Sequence, residues 1–244
     1  MRKEWNVISA RSLGALALPD ACERCFWIRQ KIGEPPSPFP GIFSSIDSYS
    51  KRVLQASVDW HQRMPHWFEQ FGLQGHPLKS PHHSWFKIPV MNRQLILRGV
   101  PDEVLLLPND ALAILDYKTA RFKADDSLRP LYEVQLNVYA RIAENLHVNK
   151  PEHRYPRPVE TLGLIYYDPI TEVDHSDKLR TDGFLMEFRA HWSAVPRRDD
   201  WVDALVEQAW DILSSSTPPH AREGCKVCAT YREIAAATGL ETSS

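Results

Sequence analysis

Apolar positions recur along this chain with two different periods, and the switch between them divides it. Over residues 9 to 32 the spacing is helical, with Ser9 or Ser12 as caps and Cys22-Glu23-Arg24-Cys25 leading into Phe26-Trp27-Ile28. The run Pro35-Pro36-Ser37-Pro38-Phe39-Pro40 stops any helix and makes a stiff connector. Ile46, Val53 and Trp60 at heptad spacing, with Tyr49 beside them, predict a second helix from Ser44 or Ser45 to Met64, closed by Pro65. Residues 65 to 84, rich in His, Pro and Gly, read as loop. From Trp85 the pattern changes to short β-branched and Leu-rich runs near 85 to 90, 94 to 99, 102 to 107 and 112 to 118, a meander of antiparallel strands. Pro130 opens an amphipathic helix over 130 to 146, with Leu131, Val134, Val138, Ile142 and Leu146 on its apolar face. Strands near 159 to 167 and 183 to 190 follow. Asp199 then caps a helix bearing Trp201, Leu205, Ala209 and Ile212, and Ser214 to Pro219 forms a linker to Cys225. The expected fold class is α/β, a mixed and mainly antiparallel sheet flanked by helices, in a single domain spanning 1 to 244.

Composition narrows the function classes. Of the 244 residues 43% are hydrophobic and 25% charged, which is ordinary for a soluble globular chain long enough to bury a proper core. Twenty-nine Lys plus Arg against 31 Asp plus Glu leave a net charge of −2, so no whole-molecule positive field draws the protein onto nucleic acid and any polyanion site is a local patch. The basic start Met1-Arg2-Lys3-Glu4 lacks the apolar core of a signal peptide, and no stretch of about 18 apolar residues offers a membrane span. A cytoplasmic location is expected, where paired cysteines bind metal more often than they form disulfides.

The hairpin of 102 to 107 and 112 to 118 carries the candidate chemistry. With Asn109 at the centre of its turn, Asp102 and Asp116 stand opposite each other, and directly opposed residues have Cβ atoms roughly 4.5 to 5.5 Å apart. Two facing carboxylates repel unless a cation lies between them, and such an oxygen-rich site suits Mg²⁺ or Mn²⁺. The period of two puts Lys118 on the same face as Asp116. Two acids and an ammonium around a divalent cation suit phosphodiester hydrolysis, with the cation polarising a phosphoryl oxygen and the lysine orienting water or stabilising charge on phosphorus.

In order, Gly99-Val100-Pro101-Asp102, then Ile114-Leu115-Asp116-Tyr117-Lys118-Thr119, then Gln135-Leu136-Asn137-Val138-Tyr139 resembles the PD-(D/E)XK nuclease superfamily, in particular its RecB-type branch. The resemblance implies a restriction-endonuclease-like core, with catalytic sheet and helix over 85 to 190. It implies Asp102, Asp116 and the backbone carbonyl of Tyr117 as Mg or Mn ligands, and Lys118 as the catalytic lysine. Gln135 and Tyr139, one helical turn apart, would act on the same substrate strand. Many RecB-type nucleases add a His ligand from the early helix. The matching stretch here is Ser44-Ser45-Ile46-Asp47-Ser48-Tyr49, so Asp47 takes that place, with His61 a weaker candidate. DNA ends or single strands are the implied substrate and a helicase or other recombination protein the implied partner, with no membrane.

Cys22-x-x-Cys25 and Cys225-x-x-Cys228 are all the cysteine in the chain and together make a complete tetrathiolate site for Zn²⁺ or an iron-sulfur cluster. Joining them clasps 1 to 34 to 214 to 232. Some RecB-type members hold a [4Fe-4S] cluster with one N-terminal and three C-terminal cysteines, whereas this chain has two and two, which leaves zinc open as the alternative. Lys51-Arg52, Arg121, Lys123, Arg129 and Arg141 are candidate phosphate contacts, while most of the eight Trp, Trp60 and Trp201 among them, fall at core spacing. Two rival readings remain: a catalytically silent nuclease fold that recruits DNA or a helicase, and a structural zinc protein whose acids are surface charges.

Overall fold

A computed structural model describes residues 6–34, 41–92, 94–123, 125–150, 153–172 and 176–239. The proline run at 35–40 and the basic start at 1–4 lie outside the described residues. The N-terminal part contains strand β1 (Val7–Ser9) and helices α1 (Ala10–Gly14), α2 (Glu23–Lys31), α3 (Gly41–His61) and α4 (His66–Gln70). Strands β2 (His76–Pro77), β3 (Lys87–Val90), β4 (Leu95–Arg98), β5 (Glu103–Leu106) and β6 (Leu112–Lys118) lead to α5 (Arg129–Asn145). Two small hairpins, β7 (Val148–Lys150) with β8 (His153–Tyr155) and β10 (Leu179–Arg180) with β11 (Gly183–Phe184), flank the long β9 (Val159–Pro169). Strand β12 (Phe188–Val195) and helices α6 (Asp199–Ser214) and α7 (Lys226–Ala237) are the last elements among the described residues.

The main sheet has the order β12-β9-β6-β5-β2. Only its β6–β9 pair is parallel, because α5 and the β7–β8 hairpin form the crossover between these two strands. A second sheet, β1-β4-β3, pairs β1 in parallel with β4. Strand β6 is apolar on both faces, as a central strand must be. Its Leu112 and Ile114 join the core that contains α5 and α6, while Ala113, Leu115 and Tyr117 face a separate core under α3 and α4. The expected mixed, mainly antiparallel α/β architecture is therefore present, and the four cysteines of the two chain ends stand together.

Several elements depart from their sequence pattern. The helix expected over 9 to 32 is broken. Helix α1, capped by Ser9 whose Oγ accepts the Ser12 N–H at 3.0 Å, passes through a 3-10 turn at Ala15–Ala17 before α2 begins at Glu23. Pro19 stands in the gap and has no N–H to continue an α-helical ladder. Helix α3 starts earlier than Ser44, at Gly41, and ends at His61, where Gln62 turns the chain out with φ 55°. Its expected heptad face points outward: Trp60 is 80% exposed and Tyr49 and Val53 are also exposed, whereas Leu54 is buried with Met64, Phe68 and Leu73. Heptad spacing records a possible seam but not which seam the sheet meets. The loop expected over 65 to 84 contains α4 and β2. The final sheet strand is Phe188–Val195 and not 183 to 190, because Gly183–Phe184 pairs with Leu179–Arg180 in its own exposed hairpin. Strand β1 and helix α7 had no counterpart in the pattern. No described helix is long and apolar enough to cross a membrane.

Candidate active site

The β5–β6 hairpin sets the geometry. Its register runs Glu103↔Leu115, Val104↔Ile114, Leu105↔Ala113 and Leu106↔Leu112, so one further step places Asp102 opposite Asp116. The turn is closed by Asp110 N–H to Leu107 O at 3.0 Å and by Asn109 Oδ1, which accepts the Ala111 N–H at 3.3 Å, with Asp110 in the left-handed region at φ 69°. This is the register that a turn centred on Asn109 requires.

Asp116 is only 4% exposed. Burial pushes its carboxyl up to about 6, although the neighbouring Lys118 ammonium pulls the other way. Lys118 Nζ ion-pairs with Asp116 Oδ2, and Gln135 Nε2 donates to Asp116 Oδ1 at 3.1 Å. The Lys118 ammonium also lies over the Tyr132 ring, 4.3 Å from its centroid. Asp102 Oδ2 accepts the Tyr117 N–H at 2.9 Å, which ties the first carboxylate to the strand that carries the second. Its other oxygen pairs with Lys51 Nζ at 2.8 Å, and Lys51 in turn reaches Asp47 Oδ2 at 3.1 Å. Asp47 thus joins the cluster through Lys51, its i+4 neighbour on α3, while His61 is exposed at the far end of that helix, about 21 Å away by helical rise.

Gln135 and Tyr139 meet as expected one turn apart: the Gln135 amide donates to Tyr139 OH at 2.7 Å. Tyr139 can reach this position because residue 99 is glycine, where a Cβ would stand 2.1 Å from Tyr139 Cε1. Burial, reinforced by the Asp116 charge, holds the Tyr139 phenol well above its usual value, so it stays protonated. Gln135 Oε1 is buried and has no hydrogen-bond partner among the described residues. An unfilled acceptor beside two carboxylates fits a hard, hydrated cation, since Mg²⁺ and Mn²⁺ take oxygen ligands and keep part of their water.

Sequence reasoning missed the bridging place of Lys51, whose signal was its i+4 spacing from Asp47, and the ring of Tyr132 under Lys118. It also missed Glu103, which accepts from Tyr117 OH at 3.2 Å and which burial pushes up to about 7. Of the basic candidates, Arg129 is spent on Glu133, Ser193 and the Ala194 carbonyl, and Arg141 on Asp203 and Asp199, so both act within the fold. Arg121 contacts Thr171 and Glu172, and Arg52 and Lys123 are exposed.

The four thiols form a second group at the opposite end of the chemistry. Cys22 and Cys225 are the residues capping the starts of α2 and α7, and Cys25 and Cys228 lie in the first turns. The sulfurs are 3.8 Å apart for Cys22–Cys228, 3.6 Å for Cys25–Cys225 and 3.4 Å for Cys25–Cys228, with all four within 4.8 Å of one another. Four sulfurs this close could hold a metal ion.

No curated protein matches the chain. Among solved structures, one described as "Crystal structure of SSO0001" aligns over 88% of this chain and 80% of its own at 15% identity and a TM-score of 0.39, a likeness too remote to support an inference. The sequence profile of the PD-(D/E)XK nuclease superfamily matches residues 19–234, a span that encloses both carboxylates, the lysine and the glutamine, and the chain belongs to that superfamily.

Proposed function

We propose that the protein is a metal-dependent deoxyribonuclease of the RecB type. In this reading it hydrolyses phosphodiester bonds at DNA ends, flaps or single strands during repair, recombination or defence, with a helicase or other recombination protein as partner. One observation carries the reading: Asp116 is buried and held from two sides, by Lys118 and by Gln135, with Asp102 opposite it in the hairpin register. A surface ion pair needs no such buried amide, and a desolvated carboxylate with a specific charge partner and a second carboxylate opposite it is the arrangement of a functional site.

Asp102, Asp116 and the Tyr117 carbonyl would hold Mg²⁺ or Mn²⁺, with Asp47 adding charge from α3. The bound cation supplies Lewis-acid polarisation of the phosphoryl oxygen and lowers the pKa of water. Lys118 places an ammonium where negative charge grows on the phosphorus oxygens, and its seat over Tyr132 restricts its direction. Gln135 keeps Asp116 oriented through Nε2, and Tyr139 presents a neutral O–H donor to the substrate strand. Lys51 adds a second ammonium at the rim for a neighbouring phosphate.

The test compares wild type with Lys118→Ala on end-labelled single- and double-stranded DNA with Mg²⁺, Mn²⁺ or no divalent cation. Cleavage by wild type only with a divalent cation, and a loss on the order of 100-fold or more in the variant, is expected. DNA binding without cleavage by wild type would leave the silent-module reading in its place, and bound zinc with neither activity the structural-protein reading.

A further inference from the structure

The four thiols are arranged for one ion. We infer that they hold a single tetrahedral Zn²⁺ and not the [4Fe-4S] cluster that the resemblance to iron-sulfur nucleases implies. The spacing of the sulfurs decides between them. Four thiolates at the zinc bond length of about 2.3 Å define a tetrahedron with edges of about 3.8 Å. In a cubane each thiolate caps a different iron corner, which spreads the four ligand sulfurs to roughly 6 Å from one another. The separations here are 3.4, 3.6 and 3.8 Å, and every pair falls within 4.8 Å. A disulfide would bring two sulfurs to about 2.05 Å, and all four cysteines are free.

The backbone around the thiols is built for the smaller site. Each Cys-x-x-Cys opens a helix, so all four sulfurs sit at N-terminal turns. Gly224, in the left-handed region at φ 70°, turns the chain into α7, and the Arg222 N–H donates to Cys22 Sγ at 3.4 Å, a backbone bond of the kind that steadies a metal thiolate. A cubane would require the sulfurs to spread from one another, within each pair as well as between the pairs, by roughly 1 to 2 Å or more. Helix α2 is tied to α6 and to the segment after it: Trp27 Nε1 donates to the Ser215 carbonyl at 3.2 Å, and Gln208 of α6 donates to Glu23 at 2.9 Å. A cleft of about 440 Å³ borders Cys22, Cys25 and Cys225 and is lined also by Phe26, Arg29 and Arg222, while the four sulfurs stay within 4.8 Å of one another. With four protein ligands the ion has no open position, so its work is to fasten α2 to α7.

This inference rests on the thiol geometry and not on the nuclease reading, so its test uses no DNA. The full-length chain is purified in parallel in air and under anaerobic conditions, and zinc, iron, acid-labile sulfide and the visible spectrum are measured. One zinc per chain and a colourless protein from both preparations is expected. Exchange of the ion for Co²⁺ should then bring up the strong visible bands of a tetrahedral tetrathiolate site. Four irons with four sulfides from the anaerobic preparation, one iron without sulfide, or no metal with four titratable thiols would each overturn it. Cys22→Ser combined with Cys225→Ser should lower zinc content at least about tenfold. Should that variant not fold, Cys228→His serves instead: an imidazole is a good zinc ligand, so retention of one zinc is expected and its replacement by an iron-sulfur cluster would contradict the inference.

Discussion

At the scale of single residues, the site depends on side chains that each do two things. The Gln135 amide donates to both Asp116 and Tyr139, so Gln135→Ala leaves a buried carboxylate and a buried phenol each short of a partner. Cleavage should fall at least about tenfold, read in the end-labelled DNA assay, while Gln135→Glu, which keeps the shape but adds a charge beside Asp116, should fall further. Gly99 has one neighbour that matters. The Cβ of Gly99→Ala would lie 2.1 Å from the Tyr139 ring, and the overpacking should cost about 1 to 3 kcal/mol in a urea melt and lower cleavage as Tyr139 is displaced. The facing of Asp102 and Asp116 and the meeting of Gln135 with Tyr139 were legible in the chain, because periods of two and four are imposed by strands and helices, while their candidacy as site residues came from the family resemblance. Lys51 was legible only as a basic residue, since its meeting with Asp102 brings α3 to a strand more than forty residues later.

At the scale of elements, a buried asparagine joins α5 to the segment that enters α6. Asn137 is fully buried; its amide donates to the Pro196 carbonyl at 3.0 Å and its oxygen accepts the Arg198 N–H at 2.7 Å. Asn137→Ala would strand both backbone groups, a cost of about 1 to 3 kcal/mol that should lower Tm by roughly 2 to 10 °C in a thermal melt. Trp60→Ala should change stability by no more than about 0.5 kcal/mol, because the indole on α3 is 80% exposed. That contrast would not follow from the helical pattern, which places Trp60 on the apolar face and gives Asn137 no special standing. The β5–β6 hairpin was readable because its turn residues and its alternation agree. Strand β12 was misplaced because the exposed β10–β11 hairpin carries a similar apolar texture, and only pairing with β9 distinguishes the two.

At the scale of the whole molecule, two candidate metal-binding groups occupy separate regions, the proposed oxygen donors at the sheet and the four thiols contributed by α2 and α7. They should respond differently to removal. Mild chelation is expected to abolish cleavage, reversibly on adding Mg²⁺ or Mn²⁺, and to leave the melting temperature almost unchanged. Stripping the thiol-bound ion with a stronger chelator should lower the melting temperature by several degrees, because binding to a site formed only on folding adds directly to folding stability. The amino-acid sequence by itself determined the candidate ligand types, the order of the nuclease motifs, the register of the central hairpin and the two Cys-x-x-Cys spacings, since each depends on residue identity and local spacing. Tertiary structure decided which face of α3 is buried, that Lys51 links Asp47 to Asp102, and how closely the four sulfurs approach. Those depend on how distant segments pack, and no local period encodes a distance between residues 22 and 228.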